Sequence, residues 1–419
     1  MNINEILKGI DCQCGKRHDC DIKYVYVEPD AASHLAEITE NYKRILIVAD
    51  GNTYLAGGQK CEEHLFEKYV RRVIFPSRPL LIPNEAAIAK VNAALDGIDF
   101  ILGIGSGVIQ DLCKYVSSKS KIPYAIYATA PSMDGYASGG AAMITDGMKV
   151  TYSAGVPIAI LADTEVIKNA PIDMIKAGYG DIIGKYSALN DWKLGAVVNG
   201  EYFCDYVYTL TANMVKKVLP LAKKLIERDE EGVGTLMEAL ILVGIAMSFA
   251  GNSRPASGSE HHLSHYFEIT GIVESKPYLP HGIDVAFSTV ITSRLREIIA
   301  ETDFPASDFR QSNEERSNEI RRVYKSVADG CLALQDKLGT YRDLRAERYR
   351  TNEKTIKKIL KEAPSSEEIE KILENIELDI NDFYATYSEE KIVDAIRYAK
   401  DLKDRYTVLW MYYDMFGID

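Results

Sequence analysis

The chain has 419 residues, 47% of them hydrophobic and 26% charged, with a formal net charge of −12. This is the balance of a soluble globular protein long enough for two domains, and it argues against a surface built for nucleic acid or anionic membrane. No uninterrupted apolar run approaches the span of a bilayer, the opening MNINEILKGIDCQCGKRHDC lacks the apolar core of a signal peptide, and the odd count of seven cysteines predicts reduced thiols in a cytoplasmic protein.

The chain opens with Cys12, Cys14 and Cys20, with His18 between them, in the pattern C-x-C-G-x-x-H-x-C. Zinc is one reading. The spacing is not a standard structural-zinc pattern and no second half follows nearby, which favours an amino-terminal extension carrying thiols. Strands and helices then alternate. Ile22–Val27 reads as a strand, Ala31–Tyr42 as a helix and Arg44–Ala49 as a buried parallel strand. Further strands are expected at Val73–Pro76, Ile98–Leu102, Tyr124–Tyr127 and Ile158–Leu161, with a helix at Glu85–Leu95 and a hairpin over 139–156 turning at Asp146-Gly147. Alternation of this kind predicts a Rossmann-like α/β nucleotide-binding domain with a parallel sheet, over residues 1–163.

Two loops follow strands of that domain and should lie at one sheet edge. Gly103-Ile104-Gly105-Ser106-Gly107 lets the backbone approach a phosphate, and the helix that follows offers its first N–H groups. The second loop, Thr129-Ala130-Pro131-Ser132-Met133-Asp134-Gly135, carries two hydroxyls and a carboxylate. Asp50 closes an earlier strand; it is either a helix cap or a contact to a ribose hydroxyl.

Beyond Asp163 strand signals fade, so residues 164–419 are expected to form an all-α metal- and substrate-binding domain. One helix should open at Ala170–Met174 and another over Lys176–Tyr186, where Asp181 follows a glycine and is either an N-cap or a metal ligand. Phe203–Ile226, the almost wholly apolar Thr235–Phe249 and the amphipathic stretch 286–345 continue the helical pattern. Ser365 and Glu368 have capping-box spacing, and one last helix should carry the stripe from Ile392 to Phe416. Four of the seven histidines, His261, His262, His265 and His281, cluster in a single stretch. His261 and His265 share a helix face, and His281 starts the next element. Two imidazoles plus one carboxylate hold a catalytic divalent metal with positions open for substrate.

GIGSGVIQD, TAPSMDGYAS, AGYGDIIGKY, SRPASGSEHHLSH and the later HG together resemble the sn-glycerol-1-phosphate dehydrogenase family. That family belongs to the superfamily of iron-type alcohol dehydrogenases, glycerol dehydrogenase and dehydroquinate synthase. The likeness runs from about Arg44 to His281, and more loosely to the carboxyl terminus. It implies a metal (zinc, nickel or iron) on Asp181, His261 and His281, with His262 the competitor of His261. It implies NAD(H) or NADP(H) on Gly103, Gly105, Ser106, Gly107 and Asp111, with Thr129, Ser132 and Lys149 nearer the nicotinamide and its ribose. Asp134 would lie beside the reacting carbon, and Lys185, Arg254 and His265 would face the substrate phosphate; for Arg254 a structural ion pair is the competing reading. Aspartate at 181, where dehydroquinate synthases carry glutamate, favours the dehydrogenase branch. The reaction implied is reversible reduction of dihydroxyacetone phosphate to sn-glycerol 1-phosphate by a homodimer without membrane insertion. A glycerol dehydrogenase, or a nucleotide-binding sensor without turnover, are the alternatives.

Overall fold

The computed structural model describes residues 3–145 and 148–417. By packing, the chain divides into two compact units: Met1–Ile182 with Lys216–Asn252, and Ile183–Val215 with Ser253–Asp419. The expected cut after Asp163 is a division by secondary-structure type, whereas this one runs through two helices.

The first unit holds a six-stranded sheet. Its strands are β3 (Tyr24–Glu28), β4 (Arg44–Asp50), β5 (Tyr69–Phe75), β6 (Phe100–Gly105), β7 (Tyr124–Ala128) and β10 (Ala159–Asp163), in the order β3-β10-β7-β6-β4-β5, every pair parallel. β6, β7 and β10 are buried at every residue, which is why they read as unbroken apolar runs. Two short hairpins lie outside this sheet: β1 (Ile10–Asp11) with β2 (Arg17–His18), and β8 (Gly140–Thr145) with β9 (Met148–Ser153). The expected turn at Asp146-Gly147 lies outside the described residues.

Helices of this unit include α1 (Glu85–Asn92) and α2 (Gly107–Ser120). The helix expected at Ala31–Tyr42 is only two short turns, Ala31–His34 and Leu35–Ile38. Two helices cross the division, α3 (Ile172–Asn199) and α4 (Asp205–Val218). α3 is one continuous helix, so the break expected before Asp181 does not occur. The glycines that suggested a break serve close packing instead: a Cβ at Gly178 would stand 1.8 Å from the Pro131 carbonyl oxygen. α4 ends earlier than expected, because Pro220 sits in a 3-10 turn, Leu219–Leu221. α5 (Glu230–Ala250) is apolar enough to cross a membrane by length and composition, yet 83% of its most apolar window is buried inside the protein, so it is a core helix.

The second unit is helical. α6 (Ser259–Glu274) and α7 (His281–Glu301) pack against each other, and the core beside them gathers Leu194, Ile299, Tyr349, Leu360 and Trp410. The stretch 286–345 is not one run, since residues 303–312 are non-helical. The capping box at Ser365 and Glu368 forms as expected. The last stripe is carried by two helices, α8 (Glu389–Tyr398) and α9 (Val408–Phe416). Between them Arg405 is turned to Ser253 Oγ and the Ser257 carbonyl, both at 2.9 Å, contacts that a continuous helix would not supply.

Candidate active site and metal centre

Parallel strands deliver their loops to one edge, and β6 lies between β4 and β7 at its centre. The Asp50 carboxylate caps the turn after β4, accepting from Asn52 N–H (2.8 Å) and Thr53 N–H (3.1 Å) through Oδ1. Thr53 returns a bond to the Asp50 N–H, completing a capping box. The cap reading of Asp50 therefore holds, and it uses only one carboxylate oxygen. After β6 the chain turns at Ser106 into α2, whose N-cap makes no side-chain bond, so the first-turn N–H groups stay available to an anion. Gly105 is needed for packing as well: a Cβ there would stand 2.6 Å from Ile109 Cγ1.

The loop after β7 is held by the sheet and by three helices. Thr129 N–H continues the sheet ladder onto the Gly105 carbonyl at 3.1 Å. From α2, the buried Lys114 ammonium donates to the carbonyls of Gly135 (2.9 Å) and Gly140 (2.8 Å) and to Ser138 Oγ (3.3 Å), with Asp111 at 3.6 Å. Burial lowers the Lys114 pKa from its usual value, opposed by Asp111. Gln110 donates to the Tyr136 carbonyl at 2.8 Å, and the Tyr136 hydroxyl to the Ala130 carbonyl at 2.7 Å. From α3, Asp181 Oδ2 accepts the Asp134 N–H at 2.9 Å. From α5, Gly244 leaves room for the Asp134 carbonyl, which a Cβ would meet at 2.7 Å. Ser132 and Asp134 are thus carried on a segment hydrogen-bonded to the sheet, α2 and α3. Lys149 pairs with Ile144 in the β8–β9 hairpin; its side chain lies outside the described residues.

The histidines are organised on α6 and α7. His261 Nδ1–H donates to Glu260 Oε1 at 2.7 Å, which fixes the tautomer and leaves Nε2 as the lone-pair nitrogen. Glu260 is itself anchored by the Gly258 N–H at 2.8 Å. His281 begins α7 directly after Pro280, and its Nδ1 lies 3.3 Å from Ser264 Oγ. The carboxylate of Asp181 and the rings of His261 and His281 bring ligand atoms within 4.8 Å of one another; Asp181 and His261 are buried and His281 is half-buried. Asp181 is in mid-helix, so the N-cap reading fails.

His265 stays outside that trio, half-buried, with ring centroids 5.5 Å from His281 and 6.1 Å from His261. His262, the competitor, is buried with neither ring nitrogen hydrogen-bonded. Burial, then the charges of Lys403, Arg405 and Arg254, push its pKa well below the usual value and hold it neutral. Lys185 is buried on α3, one turn beyond Asp181. Arg254 is a correction to the expected phosphate clamp. Its Nη1 donates to the Tyr406 carbonyl at 2.6 Å and its Nη2 to Glu201, so the fork that a phosphate would need is engaged within the protein.

Sequence reasoning passed over Lys114, Gln110 and the Tyr387–Asp284 pair. The Tyr387 hydroxyl lies 2.9 and 3.1 Å from the two oxygens of buried Asp284 and accepts the Leu279 N–H at 3.0 Å. It therefore holds the chain on both sides of His281, the segment before α7 and its first turn. A lysine three residues after Asp111, on the helix that follows the glycine turn, was the one visible signal for Lys114.

Residues 26–171 match the iron-containing alcohol dehydrogenase family. The chain is 30% identical over 417 residues to glycerol-1-phosphate dehydrogenase [NAD(P)+] of Geobacillus stearothermophilus, covering 97% of this chain and 96% of that one. It is 35% identical over 287 residues to the protein of the same name from Geobacillus thermodenitrificans, covering 67% of this chain and 71% of that one. Among solved structures, a probable glycerol dehydrogenase from Sinorhizobium meliloti 1021 superposes with a TM-score of 0.62 over 95% of this chain and 96% of its own, at 15% identity. That last likeness is one of fold.

Proposed function

From the membership of this chain in the glycerol-1-phosphate dehydrogenase family, we infer that it catalyses the reversible, NAD(P)H-dependent reduction of dihydroxyacetone phosphate to sn-glycerol 1-phosphate. The observation that carries the site is the convergence of Asp181, His261 and His281, one carboxylate and two imidazoles drawn from distant parts of the chain. The donors fit a divalent metal. The trio holds no thiolate, and each histidine has its Nδ1 beside a partner, Glu260 or Ser264, which turns the other nitrogen toward the ligand position. A metal held there would supply Lewis acidity to the substrate oxygen as negative charge develops on it.

The rest falls to the residues of the chain. The first turn of α2 binds the cofactor pyrophosphate, with Gly103, Gly105 and Gly107 permitting close approach. Thr129 and Ser132 border the nicotinamide, and Asp50 offers its spare oxygen to the adenosine ribose. Asp134, on a loop fixed by Lys114 and Asp181, borders the carbon that receives hydride, so the reacting atoms meet in one alignment. In this reading His265 passes a proton toward the substrate oxygen, and Lys185 with His265 binds the phosphate. The acting form is a homodimer, which light scattering tests.

The deciding assay is chelation followed by return of zinc, nickel or iron, with oxidation of NADH or NADPH followed at each step. Activity should vanish on verified metal removal and return on addition. Full turnover by metal-free protein would defeat the reading. Free glycerol should be oxidised far more slowly than sn-glycerol 1-phosphate; equal rates would move the assignment to glycerol dehydrogenase.

A further inference from the structure

We propose that Cys12, Cys14, His18 and Cys204 form a second metal centre, a closed structural zinc site with no part in the hydride transfer. Ligand atoms of these four side chains lie within 4.8 Å of one another. By the pattern of the amino-terminal segment, Cys20 would be the third thiol. Its sulfur is instead taken up by the Ile22 backbone and the Ser248 hydroxyl. The missing donor comes from far along the chain, at Cys204, whose carbonyl accepts the Tyr208 N–H at the start of α4.

The local geometry is that of a ligand-bearing turn. Gly15 N–H donates to the Cys12 carbonyl and Cys12 N–H to the Lys16 carbonyl, both at 3.0 Å. Gly15 takes φ +85 in open space, the left-handed conformation that lets Cys12 and Cys14 present their sulfurs from one tight reversal. β1 and β2 pair Ile10 with His18, returning the imidazole to the same end.

His18 supplies an independent observation. Its Nδ1–H donates to the Phe249 carbonyl at 2.9 Å, and its ring stacks on Phe249 at 5.5 Å. This bond to a backbone carbonyl sets the tautomer in which Nε2 carries the lone pair, the usual outer partner of a metal-bound histidine. Nε2 then stands 3.4 Å from Cys14 Sγ. With Zn–S near 2.3 Å and Zn–N near 2.0–2.1 Å, the S···N edge of a tetrahedron is about 3.5 Å. The observed spacing, also within hydrogen-bond range, fits two ligands sharing one ion. His18 and Cys204 are each only 1% exposed, so four protein donors leave no position for substrate. Three thiolates and one imidazole are a structural zinc set. Binding releases one proton per thiol.

The test uses the full-length reduced protein and cobalt(II) as the probe. Sulfur-to-cobalt charge transfer arises only from thiolate ligands, so the Asp181 trio cannot contribute to it. Wild-type protein should bind two metal ions per chain and show intense charge-transfer and tetrahedral d–d absorption. Asp181→Ala and Cys20→Ser should keep that spectrum, while Cys14→Ser and Cys204→Ser should lose most of it. A wild-type spectrum without thiolate charge transfer would overturn the site, with no variant required to fold. So would a spectrum unchanged by Cys204→Ser, or a Cys12–Cys14 disulfide mapped by mass spectrometry in metal-free protein as isolated. Loss of dehydrogenase activity in Asp181→Ala with the cobalt spectrum intact would separate the two centres.

Discussion

The two clusters proposed as ligand sets are opposites in chemistry. Asp181, His261 and His281 offer oxygen and nitrogen, with one half-buried imidazole and a short ligand count that leaves positions open. Cys12, Cys14, His18 and Cys204 offer three sulfurs and one nitrogen, a full complement for a tetrahedral ion. A site that polarises a substrate must be incomplete; a site that only ties the chain together gains from being closed. The contrast extends to the surroundings. Both sets orient a histidine by its Nδ1, through the Glu260 carboxylate in one and the Phe249 carbonyl in the other. An anionic partner raises the basicity of the ligand more than a neutral carbonyl does.

The strongest way to break this comparison is Asp181→Ala. Loss of Lewis-acid stabilisation worth several kcal/mol should lower kcat/KM by about a thousandfold or more, measured by NADH oxidation at saturating metal. A loss under tenfold would remove Asp181 from the chemistry. Cys204→Ser should do the reverse: a thermal midpoint lower by several degrees, followed by circular dichroism, with kcat at low temperature close to wild type. Glu260→Gln sharpens the contrast. It keeps the shape but not the charge behind His261, and metal affinity or activity should fall by about 10–100-fold. An unchanged metal titration would show that the carboxylate does not tune that ligand.

The smallest expected effect concerns the support of His281. Burial raises the Asp284 pKa well above its usual value, opposed by the Tyr387 hydroxyl. A carboxyl with a raised folded-state pKa binds its proton more tightly when folded. Its contribution to stability is complete below the ordinary aspartate range and is lost as pH rises through the folded value. Denaturant titrations of wild type should therefore weaken with rising pH across that window, and Asp284→Asn should flatten the slope. Equal slopes in the two proteins would mean that Asp284 ionises as readily folded as unfolded.

Much of this molecule is legible before folding. Arg44–Ala49 and Tyr124–Tyr127 read as buried parallel strands because helices on both sheet faces demand apolar residues at every position. Ser365 and Glu368 announce their capping box because its bonds span only three residues. The grouping of Asp181, His261 and His281 was expected from resemblance to known motifs. Local rules failed where glycine had a partner far away. Gly178 looked like a helix break and is a point of contact with Pro131. Lys114 carried no reading from the sequence and is buried among carbonyls.

The sequence by itself determined the parallel sheet, the glycine turn before α2 and the dehydrogenase family, since periodicity, turn chemistry and motif spacing are short-range properties. Only the tertiary structure decided that Cys204, not Cys20, joins Cys12, Cys14 and His18, and that Arg254 belongs to Glu201. Partners of that kind are chosen by which side chains the fold brings within a few ångströms, and the order of residues along the chain does not encode that distance.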